Sequence, residues 1–213
     1  MAGLSPNPIR MKRMLTELEE RGIRDTRVLD VMGKIPRELF VPKALAREAY
    51  DNAALPIGEN QTISQPLVVA KMSEALQLKP THKVLEIGTG CGYQAAILCK
   101  LARRVYTIER FESLSINAEK RFATLGINNY VAMVGDGSKG WPQQAPFDAI
   151  IATAAPEEVP AALLEQLAPN GTLIIPIGEQ NKRQELVRYT KNNASDVSKT
   201  LLGYVDFVPL VRD

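Results

Sequence analysis

The stretch 84–94, "VLEIGTGCGYQ", decides how the rest of the chain is read. An apolar run broken only by Glu86 ends at Gly88, and Gly90 and Gly92 follow at alternate positions before a helix-forming run. Glycines between a buried strand and a helix let the backbone turn tightly and come close to a ligand, while the helix start presents unpaired N–H groups. A dinucleotide-binding loop would carry its third glycine one place later, where this chain has Tyr93. Glu86 also disfavours a pyrophosphate. A carboxylate beside the loop repels phosphate but favours an ammonium or sulfonium group.

Downstream, the same strand-then-helix rhythm repeats. "KVLEIG" reads as a buried strand, "GYQAAILCKLA" as a helix, "RVYTIE" as a strand and "FESLSINAEKRFATLG" as a helix closed by Gly126. "YVAMVGDG" and "FDAIIATAA" are the third and fourth strands. "PEEVPAALLEQLAPNG" is expected as a helix stopped by its last three residues, and "TLIIPIG" as the fifth strand. Alternation with short connections predicts a doubly wound, mostly parallel α/β sheet. "QELVRYTKN" and "KTLLGYVDFVPL" read as two further strands forming an antiparallel carboxyl-terminal edge.

Upstream, "RMKRMLTELEER" carries a helical apolar stripe at Met11, Met14, Leu15 and Leu18, stopped by Gly22. A short helix is expected over 26–34 and another over 66–78, with Pro66 at its start, where a missing N–H costs least. The intervening "RELFVPKALAREAYDNAALPIG" and "GENQTISQP" are expected as turns, a short helix and a polar loop. At 213 residues one domain is expected, with 1–80 a helical cap and cleft-forming segment and 81–213 the cofactor-binding core.

Composition narrows the function. A net charge of +2 with no long run of like charges does not suggest a phosphate-tracking surface, so no nucleic-acid partner is expected. Cys91 and Cys99 are expected on one helix roughly 12 Å apart, too far for a disulfide. Free thiols, an amino terminus without a signal-peptide core and no membrane-length apolar run together suggest a cytoplasmic protein, with no membrane partner. No feature demands an oligomer, and a monomer is expected.

Glu109 ends the second strand roughly 20 residues after the loop, the spacing at which an acid accepts ribose hydroxyls. Asp136 in "VGDG" ends the third, where a short acid can hold an adenine amino group. An acid by the loop, one for a ribose and one for an adenine edge together describe S-adenosylmethionine as co-substrate, with no metal. The corresponding fold is the class I S-adenosylmethionine-dependent methyltransferase, Rossmann-like.

The motifs "VLEIGTGCGYQAAIL", "VYTIER", "GDGSKGW", "PFDAIIATAAP" and "LAPNGTLIIPIG" resemble, in order and spacing, the protein-L-isoaspartate O-methyltransferases. So do "ALPIGENQTISQP" upstream and "VDFVPL" near the end; the glycine loop is shared with many methyltransferases, but "QTISQP" and "FVPL" are particular to this family. Cys91 departs from the pattern, since many members carry serine there. The resemblance implies methyl transfer to the free α-carboxylate of isoaspartyl residues in damaged proteins and peptides, as protein repair. On this basis the expected cofactor-binding set is Thr62, Ile63, Glu86, Gly88, Gly90, Cys91, Glu109, Arg110, Asp136 and Gly137. Ser64 matches the family's active-site serine, and Val205, Phe207 and Val208 are expected to contact substrate.

The chemistry agrees with what the chain lacks. A carboxylate with a pKa of about 3.5 is ionised at neutral pH and needs no general base; the single histidine, His82, sits at a strand entrance. A second acid at the acceptor would be costly, since like charges at about 4 Å repel by about 4 kcal/mol at an effective dielectric of about 20. The segment after the fourth strand, "TAAP", carries none. Ser64 is then a donor that orients the acceptor, the competing structural role being a cap on the helix that starts at Pro66. Two other functions fit parts of the pattern: a methyltransferase acting on a metabolite or RNA, and a module that binds S-adenosylmethionine without turnover.

Overall fold

The structure, a computed structural model, describes residues 7–180, 182–192 and 196–212. Two helices, α1 (Pro8–Glu20) and α2 (Thr26–Met32), precede a hairpin of β1 (Leu55–Gly58) and β2 (Gln61–Ile63) and a third helix, α3 (Pro66–Ala75). Then come β3 (Lys83–Ile87), α4 (Tyr93–Leu101), β4 (Arg104–Glu109), α5 (Glu112–Thr124), β5 (Tyr130–Val134) and β6 (Phe147–Ala152). The chain continues through α6 (Ala161–Glu165), β7 (Leu167–Ile177), β8 (Gln184–Lys191) and β9 (Val197–Val205).

The seven strands from β3 onward form one sheet in the order β5-β4-β3-β6-β7-β8-β9. Pairings from β5 through β7 are parallel; β8 and β9 add to the edge antiparallel. The order reverses direction at β3, so the glycine loop that leaves β3 opens at the switch point of the sheet, where ligands of open α/β sheets bind.

Alternation along the strands splits the core in two. Val84, Ala149, Ile151 and Ile174 face the cluster built with α1 to α5, while Leu85, Ile87, Ile150 and Leu173 face the cluster that includes Leu163 of α6. Helix α4 lies in the first cluster and is buried from Tyr93 to Cys99, which explains why its sequence is apolar all round rather than striped. Helix α1 is striped, and Met11, Met14 and Leu18 are its buried face. Its start is capped by Asn7, which accepts from the Arg10 N–H at 3.1 Å, and it stops at Gly22 with φ +97°.

Four sequence expectations are corrected. The region read as turns and a polar loop contains the β1–β2 hairpin, with Leu55 opposite Ile63 and Pro56 opposite Thr62. The helix expected over 156–171 is only Ala161–Glu165, because Leu167 already pairs with Phe147 of β6 and starts the next strand. Cys91 precedes α4 instead of lying on it; both cysteines are buried free thiols. The last expected strand also ends early, at Val205, and the chain beyond it makes a parallel bridge, Ala155 to Pro209.

Candidate active site

A cleft lies over the carboxyl ends of β3, β4 and β6. One compartment, of about 500 Å3, is lined by Thr62, the glycine loop, Glu109, Arg110, Gly137 and the tail residues Val208 to Val211. A second, of about 410 Å3, is lined by Thr62, Ile63, Ser64, Cys91, Tyr93 and Gln94. Thr62, Gly88, Gly90 and Thr153 line both, so the two compartments share a wall.

The glycines have different reasons to be glycine. Gly88 (φ +91°) faces the Thr153 hydroxyl, which a Cβ would approach to 2.5 Å; that hydroxyl donates to the carbonyls of Gly88 at 2.5 Å and Ile87 at 3.1 Å. Gly90 (φ +53°) lies on the cavity wall, its nearest would-be contact being the tip of Ile57 at 3.3 Å. A Cβ on Gly92 (φ +90°) would press into the Phe122 ring at 2.8 Å and Ala118 at 3.0 Å, so this glycine serves the packing of α4 on α5.

Glu109 holds the loop from the neighbouring strand. One carboxylate oxygen accepts from the Gly90 N–H at 2.6 Å and the other from the Phe111 N–H at 3.0 Å. Each oxygen keeps a lone pair for a further donor, and the side chain lines the larger compartment.

Glu86 and Asp136 are placed differently. Neither lines the cleft. Glu86 is fully buried under the sheet, with one oxygen accepting from the Thr107 hydroxyl at 2.5 Å and the other without a partner in the protein. Thr107 in turn meets the Thr89 hydroxyl at 2.6 Å, linking this carboxyl to the loop. Burial pushes the Glu86 pKa up to about 8, against the lowering effect of the Thr107 bond and with a smaller upward push from Glu109. Asp136 caps the short turn Gly137–Lys139, accepting from the Ser138 N–H at 2.9 Å and its hydroxyl at 2.7 Å, with Lys139 at 3.6 Å. Gly137, next to it, lines the larger compartment over Ile87.

Ser64 lies on the smaller compartment, and the cap of α3 is Gln65, which makes no side-chain capping bond. Burial raises the Cys91 pKa, keeping its thiol protonated. Val208 lines the larger compartment. Val205 and Phe207 pack instead against the first core cluster. Phe207 is gripped by the buried Gln184 amide, which accepts from its N–H at 2.6 Å and donates to its carbonyl at 3.1 Å.

Several residues that shape the cleft lie outside the set of site residues expected from the sequence. Thr153 sits in the neutral "TAAP" segment. Pro209 to Val211 reach the cleft because Ala155 exchanges backbone bonds with Val208 (2.8 Å) and Leu210 (2.9 Å). Arg37, in an unremarkable "RELF", is wholly buried and donates to the Ser64 carbonyl at 2.5 Å.

Residues 9–213 match the family model described as Protein-L-isoaspartate(D-aspartate) O-methyltransferase. A protein-L-isoaspartate O-methyltransferase of Aliivibrio fischeri is 53% identical over 194 residues, covering 91% of this chain and 92% of the relative. One from Maricaulis maris is 49% identical over 207 residues, 97% and 96% of the two chains. A solved structure from Plasmodium falciparum, described as a beta-aspartate methyltransferase in complex with S-adenosyl-L-homocysteine, superposes with a TM-score of 0.82 at 27% identity. It covers 95% of this chain and 99% of that one.

Proposed function

The chain belongs to the protein-L-isoaspartate(D-aspartate) O-methyltransferase family, and from that premise we propose how its own residues carry the reaction. It is a repair methyltransferase that uses S-adenosylmethionine and acts on isoaspartyl residues of damaged proteins. When bound, the co-substrate supplies an electrophilic methyl group next to a cationic sulfur. The observation that carries our assignment of roles is the shared wall: Thr62, Gly88, Gly90 and Thr153 border both compartments. The larger compartment is assigned to the co-substrate and the Ser64 compartment to the acceptor carboxylate.

The residues present suit the co-substrate. Glu109 offers a buried carboxylate with unused lone pairs, suited to two adjacent hydroxyls, and Gly90 leaves the wall free of a side chain. Arg110 and Gly137 complete that wall, and Thr62 and Ile63 on β2 close the cleft from above. Glu86 and Asp136 act at one remove, through Thr107 and the loop and through the turn that carries Gly137.

The acceptor brings its own negative charge, so the residues around it need to orient it and exclude water, not remove a proton. Ser64 is assigned as the donor that holds it. Val208 and the tail beside it wall the co-substrate compartment, and Val205 and Phe207 support that wall from the core side; contact of these residues with the substrate peptide is part of the same proposal. Residues 1–80 serve as the cap that completes the cleft over the core of 81–213, a division supported by the place of β2 and α3 on the acceptor compartment. The enzyme works on this reading as a cytoplasmic monomer, without nucleic acid or membrane. No helix among the described residues is long and apolar enough to cross a membrane.

Labelled methyl transfer to isoaspartyl and aspartyl versions of one peptide tests this reading. Base-labile label on the isoaspartyl peptide alone is expected. Equal labelling of both, or none, would overturn the substrate. Ser64→Ala is expected to lower transfer at least tenfold with S-adenosylhomocysteine affinity nearly unchanged; unchanged transfer would remove Ser64 from its role.

A further inference from the structure

Arg37 has no exposed surface, and no carboxylate among the described residues lies within ion-pair distance of it. Its Nε donates to the Ala49 carbonyl at 2.7 Å and one Nη to the Ser64 carbonyl at 2.5 Å, while the other Nη has no partner in the protein. The guanidinium lies 4.6 Å from the centre of the Tyr93 ring, and Tyr93 lines the acceptor compartment. The neighbouring acid, Glu38, is already engaged by the Asn7 N–H and the Tyr50 hydroxyl. Arginine does not give up its proton in proteins, and a buried charge without a counter-ion is costly to keep. A fold that only needed to hold two carbonyls has neutral side chains for that purpose.

We propose that Arg37 is a positioning and specificity-determining residue, which fixes the Ser64 backbone through its carbonyl and leaves its positive charge uncompensated until the acceptor carboxylate arrives. This rests on the assignment of the Ser64 compartment to the acceptor. The charge sits behind the compartment wall made by Ser64 and Tyr93, so an anion entering there is attracted to it across that wall. A neutral acceptor gains nothing from it. The hydrogen bond does separate work: it holds the peptide unit that follows Ser64 in one orientation, and with it the serine hydroxyl.

The test measures inhibition of methyl transfer by two competing peptides that differ only in the α-group of the isoaspartyl residue, free carboxylate against carboxamide. Unit charges roughly 10 Å apart at an effective dielectric of about 20 correspond to a preference of about tenfold. The wild-type enzyme is therefore expected to favour the carboxylate peptide by about tenfold or more. In Arg37→Gln that ratio should fall at least fivefold, through loss of carboxylate binding, with S-adenosylhomocysteine affinity kept. Arg37→Lys keeps the charge but not the planar fork, and should keep the ratio within about threefold while kcat falls. A merely structural arginine would weaken both peptides equally in the glutamine variant, and that result overturns the proposal. If the glutamine variant does not fold, a collapse of the ratio in the lysine variant overturns it instead. Failure of the wild-type enzyme to methylate the isoaspartyl peptide would count against the substrate reading, a different result from an unchanged ratio in an active variant.

Discussion

Replacing Gly92 with alanine separates two costs that a glycine loop usually confounds. The first is conformational: at φ +90° an L-residue is disfavoured by roughly 1–2 kcal/mol, partly offset by about 0.4–1 kcal/mol from a less flexible unfolded chain. The second is steric. The new methyl would stand 2.8 Å and 2.9 Å from two atoms of the Phe122 ring and 3.0 Å from the Ala118 methyl, all in the packed interior between α4 and α5. Overpacking of this kind costs about 1–3 kcal/mol. Gly22 supplies the control, because its φ is +97° and a Cβ there would meet nothing within 4 Å. Gly22→Ala should therefore lose about 1 kcal/mol and Gly92→Ala about 2–4 kcal/mol. At about 2–4 °C per kcal/mol for a chain of this size, the melting temperature should fall by a few degrees in the first and by roughly 5–15 °C in the second. Differential scanning calorimetry of both proteins without ligand measures the gap. Equal losses would show that Gly92 is glycine for its backbone angle alone, and the packing account would be wrong.

Two further outcomes follow from the carboxyl beneath the loop and from the tail. Glu86 has a folded pKa raised to about 8 over an ordinary value of 4.5, so between those values the folded state binds the extra proton and stability falls as pH rises, levelling off above pH 8. Glu86→Gln, which stays neutral, should flatten that part of the stability-pH curve; an identical slope in urea titrations from pH 5 to 8 would refute a buried protonated Glu86. Gln184→Ala removes both bonds to Phe207 and should release the tail that walls the co-substrate compartment, weakening S-adenosylhomocysteine binding severalfold. Hydrogen exchange should then quicken at residues 207–211, and unchanged exchange there would mean the tail is held by other contacts.

The strands of the parallel sheet were legible because each is a short apolar run bounded by turn residues: β4 begins and ends where "RVYTIE" does. The glycine loop was legible for the same reason, its three glycines falling between two periodic segments. The hairpin was not. Its strands are only four and three residues long, one of them carrying Pro56, and they exist through pairing with each other, which periodicity does not record. Helix α6 lost its second half to the sheet, since pairing of Leu167 with Phe147 outweighs the local helical preference of "LLEQLA". Among site residues, Glu109 at a strand end could be placed from spacing, but the direction of the Glu86 and Asp136 side chains could not. A strand's alternation says that Glu86 shares a face with Val84, and only the layers above and below reveal that this face is the core and not the cleft. Arg37 and Gln184 were invisible because each acts on a backbone group more than 20 residues away.

The wall between the two compartments bears on inhibitor design. Its four residues are two glycines and two threonines, so nothing longer than a threonine side chain separates an occupant of one side from an occupant of the other. A single molecule joining an adenosyl group to a carboxylate through a short linker would reach into both sides at once. Longer tethers would have to buckle toward solvent at the mouth, so affinity in such a series should peak at the shortest linker that spans the wall.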